Sequence, residues 1–469
     1  MKRFKSIVIK TFLCSMLFLL PIKMFSQADV HMNEKDSSPS WKAGVAKKKI
    51  TPLQPIWMAG YGNRTRPSEG KLHDLWAKAL VLEDAKGERS VLITTDLLGV
   101  TRRFTANIRK QLKEKFNLSD AQVMINSSHT HSGPVLENAL VDIYPIDNSE
   151  RGRIKQYTDW LEKEVIKLVQ EAYASLEPVK IYSENGVTRF QVNRRNNNVS
   201  ALLEQTELKG PNDYSVPVLK VENNAGKIKA IVFGYACHAT VLNGYEWSGD
   251  YPGFAQLELE KKYEGVTAMF FQGAGADQNP LPRHSIALAQ QYGRDLASAV
   301  ERVLNEDMPE CVPELVVSYS EIELPFAKVL KRKNLIKIKK YDTGYRKRWA
   351  TRMLDKIDRG ESFPTSYPNY PLQLWQIGGQ KMFSMGGEVV IDYAIKLKQI
   401  FGQDIFVLGY TNDVMGYIPS PIILKEGGYE GASSQVVYGL PALWDKKIQN
   451  IILKEIIKMS QEIDILPKK

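Results

Sequence analysis

Apolar runs of strand length alternate along this chain with segments whose apolar residues recur every three or four positions. "LWAKALVLE" (75–83), "SVLITTDLLGV" (90–100), "AQVMINSS" (121–128), "VPVLKV" (216–221), "KAIVFGYAC" (229–237), "VTAMFFQ" (266–272) and "DIFVLGY" (404–410) predict strands, several apolar enough to be buried on both faces. In 154–176 the positions Ile154, Tyr157, Leu161, Val165, Leu168, Ala172 and Leu176 form one helical stripe. Leu288, Tyr292, Leu296, Val300 and Val303 form another within 286–304, and 444–463 reads as a closing amphipathic helix. The predicted fold class is α/β, a mixed β-sheet core with surrounding helices and no internal repeat.

The N-terminus departs from this pattern. Met1-Lys-Arg-Phe-Lys5 is basic and "TFLCSMLFLLPI" (11–22) is apolar, but shorter than the roughly 20 residues that a membrane span needs. Residues 1–26 therefore read as an export signal cleaved near Ser26, although Met24 stands where a small residue is expected; an uncleaved anchor is the alternative. Cys14 follows Phe12 and Leu13 rather than small residues, so it is not read as a lipidation site. Polar residues 27–40 predict a flexible lead-in, and 41–469 one catalytic-sized domain, periplasmic or secreted.

Export changes the charge argument, since losing Lys2, Arg3, Lys5, Lys10 and Lys23 takes the net charge from +10 to +5. That mild excess suits anionic surfaces or glycans and calls for no nucleic acid. Cys237 and Cys311 allow one disulfide at most. The segment 328–352, dense in Lys and Arg, reads as a solvated helix face on an insertion, with an acidic glycan or lipid headgroup site as the alternative. No later segment approaches membrane-spanning length, so contact with a membrane would be peripheral.

Candidate chemistry concentrates at strand ends. His129 and His131, in "SSHTHSGP", follow a strand in which residues i and i+2 share a side, so both rings can face one metal; a polar pair in a loop is the bland reading. His238 ends another apolar strand, where a satisfied structural histidine is the alternative, and its neighbour Cys237 should point to the opposite face. "WSGDYPGFAQLELE" (247–260) and "GAGADQNP" (273–280) are glycine-rich and polar, and Asp250, Asp277 and Asn279 could orient groups there. Ordinary turns share that composition.

"SSHTHSGP", "YACHAT", "SGDYPGFA" and "FFQGAGADQNP", in this order, resemble the neutral/alkaline ceramidase family, exported zinc amidases that cleave the N-acyl bond of ceramide. The resemblance begins near "AGVAKKKITP" (43–52), includes Gly60-Tyr61, and runs to about residue 435. It implies a Zn²⁺ held by His129, His238, Glu388 in "SMGGEVV" and Tyr417 in "NDVMGYIPS". Two imidazoles, a carboxylate and a phenolic oxygen are N/O ligands suited to zinc, with a position left open for water or substrate. It further implies His131 as proton shuttle, and Arg194 (in "QVNRRN") and Tyr429, twelve positions after Tyr417, as stabilisers of developing negative charge.

Two departures bear on the substrate. Where the family's ceramide-cleaving members carry a serine in a "GDVSPN"-like motif, this chain has "GADQNP", with Asn279 at the serine position and Ala276 at a glycine. An asparagine amide donates a hydrogen bond but is no hydroxyl nucleophile, so metal-activated water is the expected attacker. The family's C-terminal β-sandwich domain is also not expected, since the closing helix follows instead. The leading reading is a ceramidase-like hydrolase of a lipid acyl amide. The alternatives are a metal-dependent hydrolase of an acylated glycan or other polar ester or amide, and a non-catalytic binding protein.

Overall fold

In a computed structural model the described residues are 40–465, apart from 203, 205 and 206. The expected export signal and lead-in lie outside them, save for Ser40. Eight strands form the main sheet: β1 (Trp41–Lys49), β2 (Trp76–Glu83), β3 (Arg89–Thr95), β4 (Val123–Ser127), β5 (Glu177–Val187), β6 (Ser215–Asn223), β7 (Ile228–Tyr235) and β8 (Thr267–Gln272). Their order is β8-β7-β6-β5-β1-β2-β3-β4. The outermost pairs, β7 with β8 and β3 with β4, run parallel and the others antiparallel, which makes the sheet mixed as expected. Each parallel pair needs a crossover, supplied by α1 (Arg102–Phe116) before β4 and α3 (Asp250–Lys262) before β8.

Alternation along the strands sets the layers. Ala77, Ala79, Val81, Val91, Ile93 and Ile125 face α1 and α2 (Asn148–Ala174), while Val216, Val218, Ile231, Phe233 and Phe270 face α3 and α4 (Ile286–Leu304). The intervening residues Leu80, Leu82, Leu92, Met124, Val232 and Phe271 pack on a second sheet. That sheet comprises β9 (Leu315–Pro325), β10 (Ser366–Ile377), β11 (Gln380–Met385) and β12 (Phe406–Leu408) in this order. Between β9 and β10 the chain inserts α5 (Arg332–Tyr341) and α6 (Gly344–Asp358). The second sheet's outer residues Leu372, Leu374 and Phe383 are covered by α7 (Ile391–Phe401) and α8 (Ile448–Ile465). The result is an α/β/β/α stack, in which each fully buried Leu, Ile, Val or Phe stabilises by about 1.5–3 kcal/mol.

One buried amide closes the sheet. β4 and β8 are opposite edges, yet Asn126 on β4 accepts the Gln272 N–H of β8 at 2.8 Å and donates to Gly409 O at 2.8 Å. Backbone bridges Asn126–Thr411 and Gly273–Leu408 place the chain after β12 in the seam. The curl brings the ends of β4 and β7 together.

Several boundaries differ from the expected ones. The strands expected over 90–100 and 404–410 stop at Thr95 and Leu408, since the chain beyond each turns into loops. The helix expected from 154 starts at Asn148, capped by Asp147, which accepts the Glu150 N–H at 2.8 Å. The stretch 247–260, of turn-like composition, is mostly α3, which tolerates Pro252 because it lies in the first turn. In α5 only Leu335 is buried, so the basic insertion does present a solvated face; Arg352 anchors α6 to Asp142 at 2.9 Å. Cys237 and Cys311 are both buried and free. Among the described residues no helix is long and apolar enough to cross a membrane.

Candidate metal centre and active site

The site is assembled from strand ends and from loops of the second half of the chain. His129 follows β4 but has a left-handed φ of 59°, so a backbone kink, rather than strand alternation, brings its ring to His131. The two Nε2 atoms lie 3.3 Å apart. His129 Nδ1 donates to Leu98 O at 2.7 Å, and His238 Nδ1 to Gly275 O at 2.9 Å. Each of these bonds places the ring proton on Nδ1 and leaves an Nε2 lone pair facing inward.

What the lone pairs face decides the chemistry. Both Nε2 atoms stand 3.1 Å from the same Glu388 oxygen, Oε2, which receives no hydrogen bond. Three acceptors converge in a site from which His129, His238 and Glu388 expose 1%, 0% and 2% of their surface. A cation relieves that repulsion, and the donors His129, His131 and His238 alone already form a group able to hold a metal ion. Burial, with the Arg194 charge adding to it, holds the His238 imidazole down at about 4, so it stays neutral. Burial pushes Glu388 up, but attraction to His129 and His238 in their protonated forms outweighs it and holds the carboxyl well below its usual range; with both imidazoles neutral, that attraction is gone and a cation would take its place. His131 is driven well below the ordinary imidazole value by burial, then by its two histidine neighbours.

A short ladder brings two further groups to the histidines. Glu388 and Tyr417 sit opposite each other in a two-residue parallel ladder. Tyr417 Oη lies 3.2 Å from His238 Nε2 and accepts from Arg194 at 3.0 Å. Trp444 Nε1 fixes the Tyr417 carbonyl at 2.7 Å, and Tyr438 Oη donates to the other Glu388 oxygen. Arg194 also bonds Glu430 at 2.7 Å and Asn279 Oδ1 at 3.2 Å. Tyr429 is 42% exposed, its ring edge-on to Tyr417 at 5.3 Å. Together Arg194, Asn279 and Tyr429 line a cavity of about 780 Å³.

Residues 41–281, just over half of the 469, match the sequence model of neutral/alkaline non-lysosomal ceramidase, N-terminal. The chain belongs to this family. It is 26% identical over 247 residues to neutral ceramidase B of Dictyostelium discoideum, covering 48% of this chain and 33% of that one. To the neutral ceramidase of Pseudomonas aeruginosa it is 24% identical over 253 residues, 51% of this chain and 37% of that one. It thus spans about a third of the length of the curated relatives it matches. In structure it resembles the Pseudomonas aeruginosa neutral ceramidase with a TM-score of 0.69 at 18% identity, over 90% of this chain and 74% of that one. A ceramidase complexed with C2 gives 0.68 at 16% identity, over 90% and 75%. The fold is that of the neutral ceramidase catalytic domain.

All eight residues singled out in the sequence, His129, His131, His238, Glu388, Tyr417, Arg194, Asn279 and Tyr429, fall within one contact network in this ceramidase-family fold. Asp250 and Asp277 lie beside it as scaffolding. Asp250 accepts from the Val241, Leu242 and Tyr251 N–H groups, and Asp277 from the Ile391 N–H that opens α7. Sequence reasoning passed over Tyr438, Glu430 and the carbonyls of Leu98 and Gly275. Glu430 had a signal, being adjacent to Tyr429; the carbonyls had none, because any residue type supplies one.

Proposed function

We propose that this chain is a zinc-dependent hydrolase of an acyl amide bond, ceramidase-like, with His129, His238, Glu388 and Tyr417 as the metal ligands. The observation that carries the reading is the convergence of two inward Nε2 lone pairs on one unpartnered carboxylate oxygen. When bound, a divalent ion there would polarise an acyl carbonyl and acidify water in its open position.

The chain's own groups supply the rest. His131, neutral and within 3.3 Å of His129, takes a proton from the attacking water and returns it to the leaving nitrogen. Water adds to the carbonyl carbon, the C–N bond breaks, and a carboxylic acid and an amine leave. Arg194 and Tyr429 stabilise charge that develops on the carbonyl oxygen, with the Asn279 amide as a further donor. Residues 1–26 as an export signal and 41–469 as the catalytic domain complete the proposal.

Metal analysis of the purified protein beside its His129→Ala and Glu388→Ala variants, with ceramide hydrolysis on the same samples, tests it. About one zinc per chain, lost in both variants together with turnover, is the expected result. Absence of bound metal after loading with zinc would overturn the reading. A second reading, in which the acyl substrate is polar rather than a long-chain lipid, is favoured by the cavity lining.

A further inference from the structure

The cavity beside the donor cluster is lined by Arg194, Arg195 and Arg283, by Asn279, and by the run Asn196 to Asn198. Its aliphatic lining, among the described residues, is confined to Leu281 and Val199. Two of the three guanidiniums are already engaged. Arg194 is held by Glu430, Asn279 and Tyr417. Arg195 binds the second Glu430 oxygen at 2.7 Å and Glu426 at 2.8 Å. Arg283 has neither an ion pair nor a side-chain hydrogen bond among the described residues, and it is only half-buried. Asp250, which feels its charge, is occupied by the Val241, Leu242 and Tyr251 N–H groups.

An unpartnered guanidinium at a polar cavity wall offers a planar pair of donors matched to an oxyanion. The wall exposes apolar surface as well, so it can accept an alkyl chain, but its guanidinium and amide groups must stay hydrated or hydrogen-bonded, which favours a head group able to bond them. We propose that this cavity selects acyl compounds whose head group carries an oxyanion, a carboxylate or a phosphate, and that Arg283 is the residue that recognises it. The inference rests on the hydrolase reading for the reaction but concerns binding alone. Arg283 is therefore a specificity residue: it leaves the bond-breaking step to the donor cluster.

The test uses three ligands that share one octanoyl chain: N-octanoylglycine, N-octanoylphosphoethanolamine and uncharged N-octanoylethanolamine. Binding to the zinc-loaded protein is measured by calorimetry and hydrolysis on the same samples. At least one anion should bind about tenfold or more tightly than the uncharged amide, with the gap narrowing as salt is raised. Arg283→Ala should collapse that ratio towards one, and Arg283→Lys should restore part of it. Equal affinity for all three ligands, or a ratio unchanged in Arg283→Ala, overturns the proposal; if that variant does not fold, the wild-type ratio and its salt dependence decide. Preferred anion binding without hydrolysis of any of the three, or of ceramide, would instead refute the hydrolase reading and leave anion recognition standing.

Discussion

The donor cluster and the cavity beside it share Arg194, which bonds Tyr417 on one side and lines the open wall on the other. They are nevertheless built on different terms. In the cluster the imidazoles of His129 and His238 are aimed by backbone carbonyls, and Glu388 and Tyr417 are set by a ladder pair. In the cavity the lining comes from short segments around 194–199, 279–283 and 428–430, largely loops and single turns with Asn279 in a three-residue strand, and among the described residues Arg283 has no partner. Groups oriented by main chain are hard to retune singly, whereas loop side chains change at little cost to the fold. The difference suggests a division of labour: the curled sheet holds the chemistry and the loops choose what reaches it.

Glu388→Ala strikes the cluster and should have the largest effect. It removes the oxygen shared by both imidazoles, so zinc affinity is expected to fall by more than about 100-fold, beyond what loss of an outer partner causes. Hydrolysis should drop to background, while the cavity's preference among head groups persists in binding. Loss of metal and of head-group preference together would break the comparison. Tyr438→Phe is gentler, because it deletes only the phenol that holds the other Glu388 oxygen. Zinc affinity should fall by about 10- to 100-fold, read by chelator competition.

How far the sequence reaches follows the same division. The strands β4, β7 and β8 were legible because their apolar runs are buried on both faces, and the 286–304 helix was bounded to the residue. His129, His131 and His238 stood out as rare residue types at strand ends. Glu388 and Tyr417 carry no such local signal, and only the family resemblance picked them out. Neither did the joining of β4 to β8 through Asn126 show in the sequence, since it links residues 146 positions apart. The kink at His129 escaped too, because a positive φ at a histidine is a cost met by tertiary contacts, not a propensity.

Gly60→Ala tests how tightly His131, the proposed proton carrier, is positioned. Gly60 has φ of 111°, and an added Cβ would come within 2.5 Å of the His131 ring. Both the backbone conformation and the clash act against the substitution, so a loss of about 1–3 kcal/mol in unfolding free energy is expected in denaturant titrations. Zinc content should hold, because His129, His238, Glu388 and Tyr417 keep their partners, while kcat falls by about tenfold or more as His131 is displaced. An unchanged kcat would mean that His131 moves no proton in the reaction.

Asn279→Ser reaches furthest into the cavity and should have the smallest effect. The substitution restores the hydroxyl that the family's ceramide-cleaving members carry, and it removes the Oδ1 that accepts from Arg194 at 3.2 Å. Arg194 keeps Glu430 and Tyr417, so its guanidinium stays in place and turnover of the preferred substrate should change by less than about tenfold. Metal content should be unchanged. Ceramide turnover should not rise appreciably above the wild-type level, because the surrounding wall still presents Arg195, Arg283 and the asparagine run. If the single hydroxyl instead turned the protein into an efficient ceramidase, selection would reside in one position next to the metal, and the separation between cluster and cavity would fail.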